Sequence, residues 1–585
     1  GFSEDDREFD TVKTFLFLFL VNFAYSLNIT IYCSFSVYER ENKIKYALRV
    51  MGCRTLPYWL GTFAFDFIAI HVINFALIAL VYIFSIDHLM EQVYTLAFTI
   101  FPYSVALITS SYLWGFAFEK SLTVYKSFAA FYFFVLYVLP SIVYNLAAVF
   151  SSSKTLITAI QWVIYLVCPI FGFNDAIMYF IFGDVAKDLP IGLFLSSNSN
   201  CIKWLWMIAA LYMVLTIILE IQYYKINLSK LRPYDINADY EAGTDTSEIL
   251  NEASRVQSPG NNDRIKVLHL RKTYSNGYTA VKDLSFGVGP GEIFGLLGPN
   301  GAGKSTTFNI TTAMIPRTGG DIELMGTKLD ENLGPVFTEL GICPQFNPLW
   351  DDLKVDEHLY IYAKIKGISR INISDCINFM MNSLGMREHM KKRANILSGG
   401  TKRKLCVGLA LIGSPLLQFM DEPSTGLDPM AKRHLWSCLS NIAHTRRSSV
   451  MLTTHSMEEA EALCHKIGII VNGKFICFGP LNYLKNKYGS GYKLTLSKFN
   501  AGTDASNYIQ QLFPDAQKVI DNQTLSETYQ IPNHNFVFSK AFRALEDLKR
   551  SKIIQDFSIY NTTLEQVFIN FSKRQQEPIF PVDLE

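Results

Sequence analysis

Six apolar segments crowd into the first 224 residues: Val12–Ser36, Pro57–Ile86, Val93–Phe118, Ser127–Phe150, Leu156–Phe182 and Ile202–Tyr224. Each is long enough to enter a bilayer. No water reaches the backbone there, so its polar groups must bond within the segment, and such runs fold as helices. Up to about Leu228 charges are sparse; beyond it the composition is that of a soluble α/β domain. The whole-chain averages, 49% hydrophobic and 18% charged, hide this division. Val12–Ser36 follows acidic rather than basic residues, which does not fit a cleaved leader.

The second half is punctuated by Gly298-Pro299-Asn300-Gly301-Ala302-Gly303-Lys304-Ser305, behind the apolar run Ile293–Leu297. This fits G-x-x-x-x-G-K-[ST] and predicts a buried strand, a phosphate-binding loop, and a helix starting at Lys304. Glycines let backbone N–H groups point at phosphate oxygens, and the helix N-terminus favours anions. Lys304 supplies a point charge for the β- and γ-phosphates, and Ser305 a hydroxyl for Mg2+. Leu416–Glu422 reads as a core strand that ends in two carboxylates. Asp421 suits Mg2+, a hard cation that prefers oxygen ligands. Glu422 suits the polarising of an attacking water. Gln418, polar inside that strand, requires hydrogen-bond partners and suggests no function.

Four more motifs follow in order around this pair. They are Gln345 in Cys343-Pro344-Gln345-Phe346, Leu397-Ser398-Gly399-Gly400-Thr401, Ser424-Thr425-Gly426-Leu427-Asp428, and His455 in Thr453-Thr454-His455-Ser456. Taken singly, Gln345 is a loop residue and His455 an ordinary histidine. The set resembles the Q-loop, signature, D-loop and H-loop of the ABC transporter nucleotide-binding domain, over roughly Asp263–Lys487. The resemblance implies an α/β P-loop NTPase that binds ATP and Mg2+. Nucleotide would be held by Tyr274 (stacked on adenine), Gly298, Asn300, Gly301, Gly303, Lys304, Ser305 and Thr306. Mg2+ would lie at Ser305, Gln345 and Asp421. Catalysis would fall to Glu422, His455, Gln345 and Lys304. In this family two cassettes sandwich ATP head to tail, so Ser398, Gly399 and Gly400 would meet an ATP held by the partner, and Asp428 belongs to the same nucleotide-binding set. Thr401 departs from the family's usual glutamine, but Ser-Gly-Gly is intact and activity should survive. Only one P-loop is present. A second half, from a copy, another chain or a missing part of this one, is therefore the expected partner.

Topology follows from charge and parity. Arg40, Lys43, Lys45, Arg49 and Arg54 place the loop after the first segment in the cytosol. Asp87–Gln92 has no lysine or arginine and reads as external, and Lys120 and Lys126 read as internal. A cassette that uses ATP also faces the cytosol, so one of the six segments must fail to cross. Leu156–Phe182 contains Pro169, Gly172 and Asp175 and reads as a hairpin dipping in from outside. Five crossings remain.

The runs Gly295–Thr306, Thr562–Phe571 and Glu39–Lys43 are similar to those of ABC subfamily A, which includes many lipid exporters. In that family each half has one helix, a large extracellular domain, and five more helices with a re-entrant hairpin before the last. The resemblance implies residues 1–11 as a stump of that domain, 12–226 as the membrane domain, 263–487 as the cassette, and 488–585 as a small α+β regulatory domain, while the stretch 227–262, polar and acidic with Glu248 and Glu252 among its carboxylates, reads as a flexible linker. It also implies ATP-driven movement of lipid or amphiphile, with a nucleotide-gated regulatory subunit and an exporter of drug or peptide as rivals. Within 488–585, Tyr492–Leu496 and Phe536–Phe538 read as strands and Lys540–Leu548 as a helix.

Arg40–Gly52 places Ile44, Ala47, Leu48 and Met51 at helical spacing. Two readings stand: a coupling helix docked on the cassette, or a basic helix lying on anionic lipid. Asp66 and His71 fall inside the second segment and are either functional or partners in packing. The ten cysteines include no C-x-x-C pair. A net charge of +1 gives no sign of nucleic-acid binding.

Overall fold

The computed structural model describes residues 4–84, 93–150, 154–182, 198–224, 247–330, 333–489, 491–497, 506–519, 526–532, 537–561 and 563–572. They fall into two compact units, residues 1–49 with 53–225, and 50–52 with 226–585. The expected external loop Asp87–Gln92 lies outside the described residues.

Among the described residues of the first unit, five helices are long and apolar enough to cross a membrane: Leu16–Glu41, Thr55–Ile83, Leu96–Gly115, Ser121–Tyr144 and Cys201–Tyr223. The helix that carries the first span begins at Glu4, so residues 4–11 extend it where a stump was expected. No glycine or proline interrupts that stretch. In the fourth span, Phe131–Val138 is π-helical just ahead of Pro140. A proline ring clashes with the carbonyl four residues back, here Leu136, and the widened turn makes room for it.

The fifth apolar segment, Leu156–Phe182, breaks at Cys168. It forms two 14-residue helices, Lys154–Val167 and Pro169–Phe182. Each is about 21 Å long at 1.5 Å per residue, short of a hydrocarbon core of roughly 30 Å. Gln161 Nε2 donates to Asp175 Oδ2 at 2.7 Å across 14 positions, and Tyr165 also donates to Asp175. One straight helix would hold Gln161 and Asp175 about 21 Å apart. The chain therefore folds back on itself, as the proline and the buried carboxylate foretold.

Polar residues join the helices inside the bundle. Tyr112 donates to Asp66 at 2.5 Å, Tyr25 to Asn74 at 2.6 Å and Asn22 to Asn174 at 2.8 Å. Asp66 thus has a partner on the next span, which favours the packing role. His71 Nδ1 lies 2.7 Å from the Phe67 carbonyl of its own helix.

The second unit holds a ten-stranded sheet. Its strands are β1 (Ile265–Thr273), β2 (Thr279–Val288), β3 (Ile293–Leu297), β4 (Gly319–Leu324), β5 (Thr327–Lys328), β6 (Leu340–Cys343), β7 (Leu417–Asp421), β8 (Ser449–Thr454), β9 (Lys466–Val471) and β10 (Lys474–Pro480). The order is β5-β4-β1-β2-β10-β9-β3-β8-β7-β6. β9, β3, β8, β7 and β6 run parallel. Every residue of β3, β6, β7 and β8 is buried; β3 and β6 are unbroken apolar runs, while β7 carries Gln418 and Asp421 and β8 ends in Thr453 and Thr454.

The stretch 227–262, expected to be a flexible linker, contains a docked helix, Ser247–Gln257. Ile249 and Val256 are buried and contribute about 2 kcal/mol each. Glu252 accepts from the Gly287 N–H at 3.0 Å and pairs with Arg255 at 2.7 Å. Glu248 accepts from Tyr483 and Lys487, both at 2.6 Å. The acidic residues that suggested a solvated connector are what fasten this helix. Residues 227–246 lie outside the described set.

The last portion builds a four-stranded sheet from β11 (Tyr492–Ser497), β12 (Gln517–Val519), β13 (Ser526–Ile531) and β14 (Asp556–Asn561), in the order β12-β13-β11-β14 with every pair antiparallel. Helices Ser506–Leu512 and Phe538–Arg550 complete a split βαβ arrangement. Phe538, expected to end a strand, opens a helix instead. A three-residue alternation is outweighed by the stripe Ala541, Leu545 and Leu548, which the helix buries.

Candidate nucleotide site

Four chain segments leave the same edge of the parallel strands, where ligands of α/β sheets bind. The glycine loop follows β3, Gln345 follows β6, Glu422 follows β7 and His455 follows β8.

Gly301 and Gly303 adopt φ of 78° and 110°, the left-handed region that glycine enters without strain. A Cβ on Gly303 would come within 2.5 Å of the Ala280 carbonyl, and one on Gly298 within 2.4 Å of the Ile470 carbonyl. The loop therefore admits only glycine at these two places. Its chain turns into helix Lys304–Thr311. Lys304 Nζ donates to the carbonyls of Gly298 at 2.6 Å and Pro299 at 3.0 Å, so its charge sits within the loop. Burial pushes the Lys304 amine below the usual lysine range, against the opposing pull of Glu422 and Asp421. Tyr274 OH lies 3.3 Å from the Thr306 hydroxyl, which places a half-exposed aromatic ring beside the loop.

Asp421 is buried at the end of β7, and Thr453 on β8 donates to it. Burial raises its carboxyl above the usual range, opposed by that hydrogen bond. The next residue, Glu422, has φ 51°, a strained value for a side chain of its size. The Thr453 carbonyl holds its N–H at 3.0 Å. This kink carries the Glu422 carboxylate out of the strand toward His455, whose Nδ1 is 3.5 Å from Oε1.

The signature turn forms its own cluster. Ser398 caps helix Gly399–Leu411 and accepts from the Thr401 N–H at 3.2 Å. The Thr401 hydroxyl lies 2.8 Å from the Ser398 hydroxyl. Gly399 faces open space, while a Cβ on Gly400 would lie 2.9 Å from the Gly426 carbonyl. Asp428 caps helix Pro429–Arg446, accepting from the Ala431 N–H at 3.0 Å. That bond holds its carboxyl below the usual range.

Arg403 was not among the residues singled out from the sequence. It is buried in the signature helix and donates to the carbonyls of Pro344 and Asp421, to Gln345 at 3.3 Å and to Glu422 at 3.2 Å. One guanidinium thus ties the end of β6 to the end of β7. The available signal was periodicity: Arg403 falls on the buried stripe it shares with Val407 and Ala410. Gln418 is buried on β7, with Nε2 3.5 Å from the Pro415 carbonyl. Nothing in the structure gives it a function.

Fold and site together define a nucleotide-binding cassette joined to a helical membrane domain. A family model described as "ABC transporter" matches residues 281–425. A second, described as "ABC-2 family transporter protein", matches residues 4–219. The chain belongs to the ABC transporters and is a membrane protein. Its relatives are members of subfamily A. The bovine retinal-specific phospholipid-transporting ATPase ABCA4 is 32% identical over 95% of this chain and 25% of its own length. Human ATP-binding cassette sub-family A member 2 is 30% identical over 93% of this chain and 23% of its own length. The rat cholesterol transporter ABCA5 is 39% identical over 54% of this chain and 19% of its own length. The chain thus spans about a quarter or less of these relatives.

Proposed function

We propose that this chain works as one half of a two-cassette transporter that couples ATP hydrolysis to movement of a lipid or amphiphile across a membrane. The observation that carries the reading is the convergence of Lys304, Asp421, Glu422 and His455 at one sheet edge, in a chain whose described residues include five membrane-length helices.

The residues fit ATP and Mg2+. The left-handed glycines leave the loop open to close approach by phosphate, with Lys304 charged within it. Ser305, Gln345 and Asp421 are oxygen donors of the kind a hard cation takes. When bound, Mg2+ neutralises charge on the β- and γ-phosphates. Glu422 orients and polarises the water, and His455 steadies the Glu422 carboxylate and meets the γ-phosphate. Ser398 presents a hydroxyl at a helix N-terminus to an ATP on a second cassette. The cassette faces the cytosol, and the hairpin Lys154–Phe182 enters from the opposite side.

A lipid cargo suits a bundle in which Asp66 is already held by Tyr112, since ion pathways line up ionisable groups across several helices. The names of the relatives point the same way. Reconstitution of the complete transporter in liposomes with fluorescent lipids tests the reading. ATP-dependent lipid movement is expected in wild type and absent in Lys304→Met. A change of ionic conductance with no lipid movement would replace it with a nucleotide-gated regulator.

A further inference from the structure

Lys45 lies in the short helix Ile44–Val50, between the first and second spans. Its ammonium is 2.8 Å from the carboxylate of Glu220 on the last span, 175 positions away. Both side chains are nearly sealed from solvent, at 7% and 6% exposure. The same ammonium lies 3.9 Å from the centre of the Trp59 ring and 4.5 Å from that of Tyr58, at the start of the second span. Tyr58 in turn donates to Glu39 at the end of the first helix. One cation therefore gathers the ends of three spans around the short helix.

A buried ion pair is a poor device for stability alone. The desolvation of two charges can exceed their attraction, and an apolar pair of similar size would hold the helices as well. What the pair provides is a two-state joint. It is closed with both charges matched, or open only when both are hydrated, and intermediate separations are penalised. Its place in the chain is equally specific. The helix leads into residues 50–52, and the last span leads to residue 226 onward. These are the two stretches where the chain passes into the second unit.

We propose that the Lys45–Glu220 pair makes the helix Ile44–Val50 and the last span move as one body during the transport cycle, so that a displacement of either is carried into the bundle. The proposal rests on the transport reading and assigns the pair a positioning role, since neither residue touches nucleotide. Two measurements on the complete transporter in liposomes test it. Spin labels at Arg49→Cys and Ile221→Cys should keep one distance in the ATP-bound and ADP-bound states of wild type, and two distances after Lys45→Met. A wild-type distance that changes with nucleotide overturns the proposal, whatever the cargo. Lipid moved per ATP hydrolysed should fall about tenfold in Lys45→Met and Glu220→Gln while basal hydrolysis persists, and the swap Lys45→Glu with Glu220→Lys should restore it. An unchanged ratio overturns it. So does loss of hydrolysis and thermal stability together in both single variants with recovery in the swap, which assigns the pair to folding. Wild type that hydrolyses ATP without moving lipid fails the transport reading instead, and the label distances still decide the joint.

Discussion

His455 Nδ1 lies 3.5 Å from Glu422 Oε1, with the histidine side chain 60% exposed and the glutamate 14% exposed. The carboxylate is thus held at the rim of the site, with an imidazole between it and open space. That arrangement orients the carboxylate while leaving it in reach of solvent, and Thr425 adds a hydroxyl at 3.3 Å on the other oxygen.

Removing the base should stop turnover while leaving binding. Glu422→Gln keeps the shape and loses the negative charge, so kcat is expected to fall by about two to three orders of magnitude with ATP affinity nearly unchanged. Steady-state hydrolysis and nucleotide binding on the same preparation check this. Comparable turnover in the two proteins would show that Glu422 is not the base.

Arg403 should act through position. Its four carbonyl acceptors lie on the segments that carry Gln345 and Glu422. Arg403→Met leaves those carbonyls without an ionic donor and lets both loops drift, which should lower kcat by about tenfold or more. KM for ATP should move much less, and Arg403→Lys should recover part of the loss. Equal losses in kcat/KM from a raised KM alone would place Arg403 in binding instead.

Much of this was legible from the residues, for stated reasons. The parallel strands Ile293–Leu297 and Leu417–Asp421 are covered on both faces, so their mostly apolar runs stood out. The Pro169 break was legible because proline removes a donor where no water replaces it. The helix Ser247–Gln257 was not, because its acidic residues are satisfied by Tyr483, Lys487 and the Gly287 N–H, groups distant in sequence. Arg403 was missed for the same reason: its acceptors are backbone carbonyls, which leave no signature in side-chain identity. The Thr401–Ser398 hydroxyl contact likewise becomes visible only once the helix is capped.

The hairpin should depend on Asp175. Gln161 and Tyr165 both donate to Oδ2 of that carboxyl, so Asp175→Leu removes the acceptor they share and leaves them neutral partners, the Tyr165 hydroxyl at 3.0 Å for Gln161 and the Cys201 sulfur at 3.5 Å for Tyr165. A loss of about 2–4 kcal/mol is expected, read as a lowered melting temperature of the chain in detergent. Gln161→Leu alone should cost less, because Tyr165 keeps its acceptor. Equal melting temperatures for Asp175→Leu and wild type would remove these bonds from the account of the hairpin.

Lys366 offers a test by pH. It follows helix Val355–Ile365, and its ammonium donates to the carbonyls of Phe337 and Thr338 at 3.1 Å and of Leu340 at 2.6 Å. Burial pushes it down to about 8 from the ordinary 10.5, against the attraction of Glu339. With the folded value below the unfolded one, the unfolded chain binds more protons between pH 8 and 10.5, so unfolding becomes harder as pH rises through that window. Lys366→Met has no such dependence, while every other titrating group is common to both proteins. The stability of wild type relative to Lys366→Met should therefore grow by about 2 kcal/mol between pH 7.5 and 9.5. Denaturant unfolding of the two chains in the same detergent at both pH values measures it. A difference that stays flat or shrinks would mean that the three carbonyls keep the ammonium charged, and that burial does not govern this lysine.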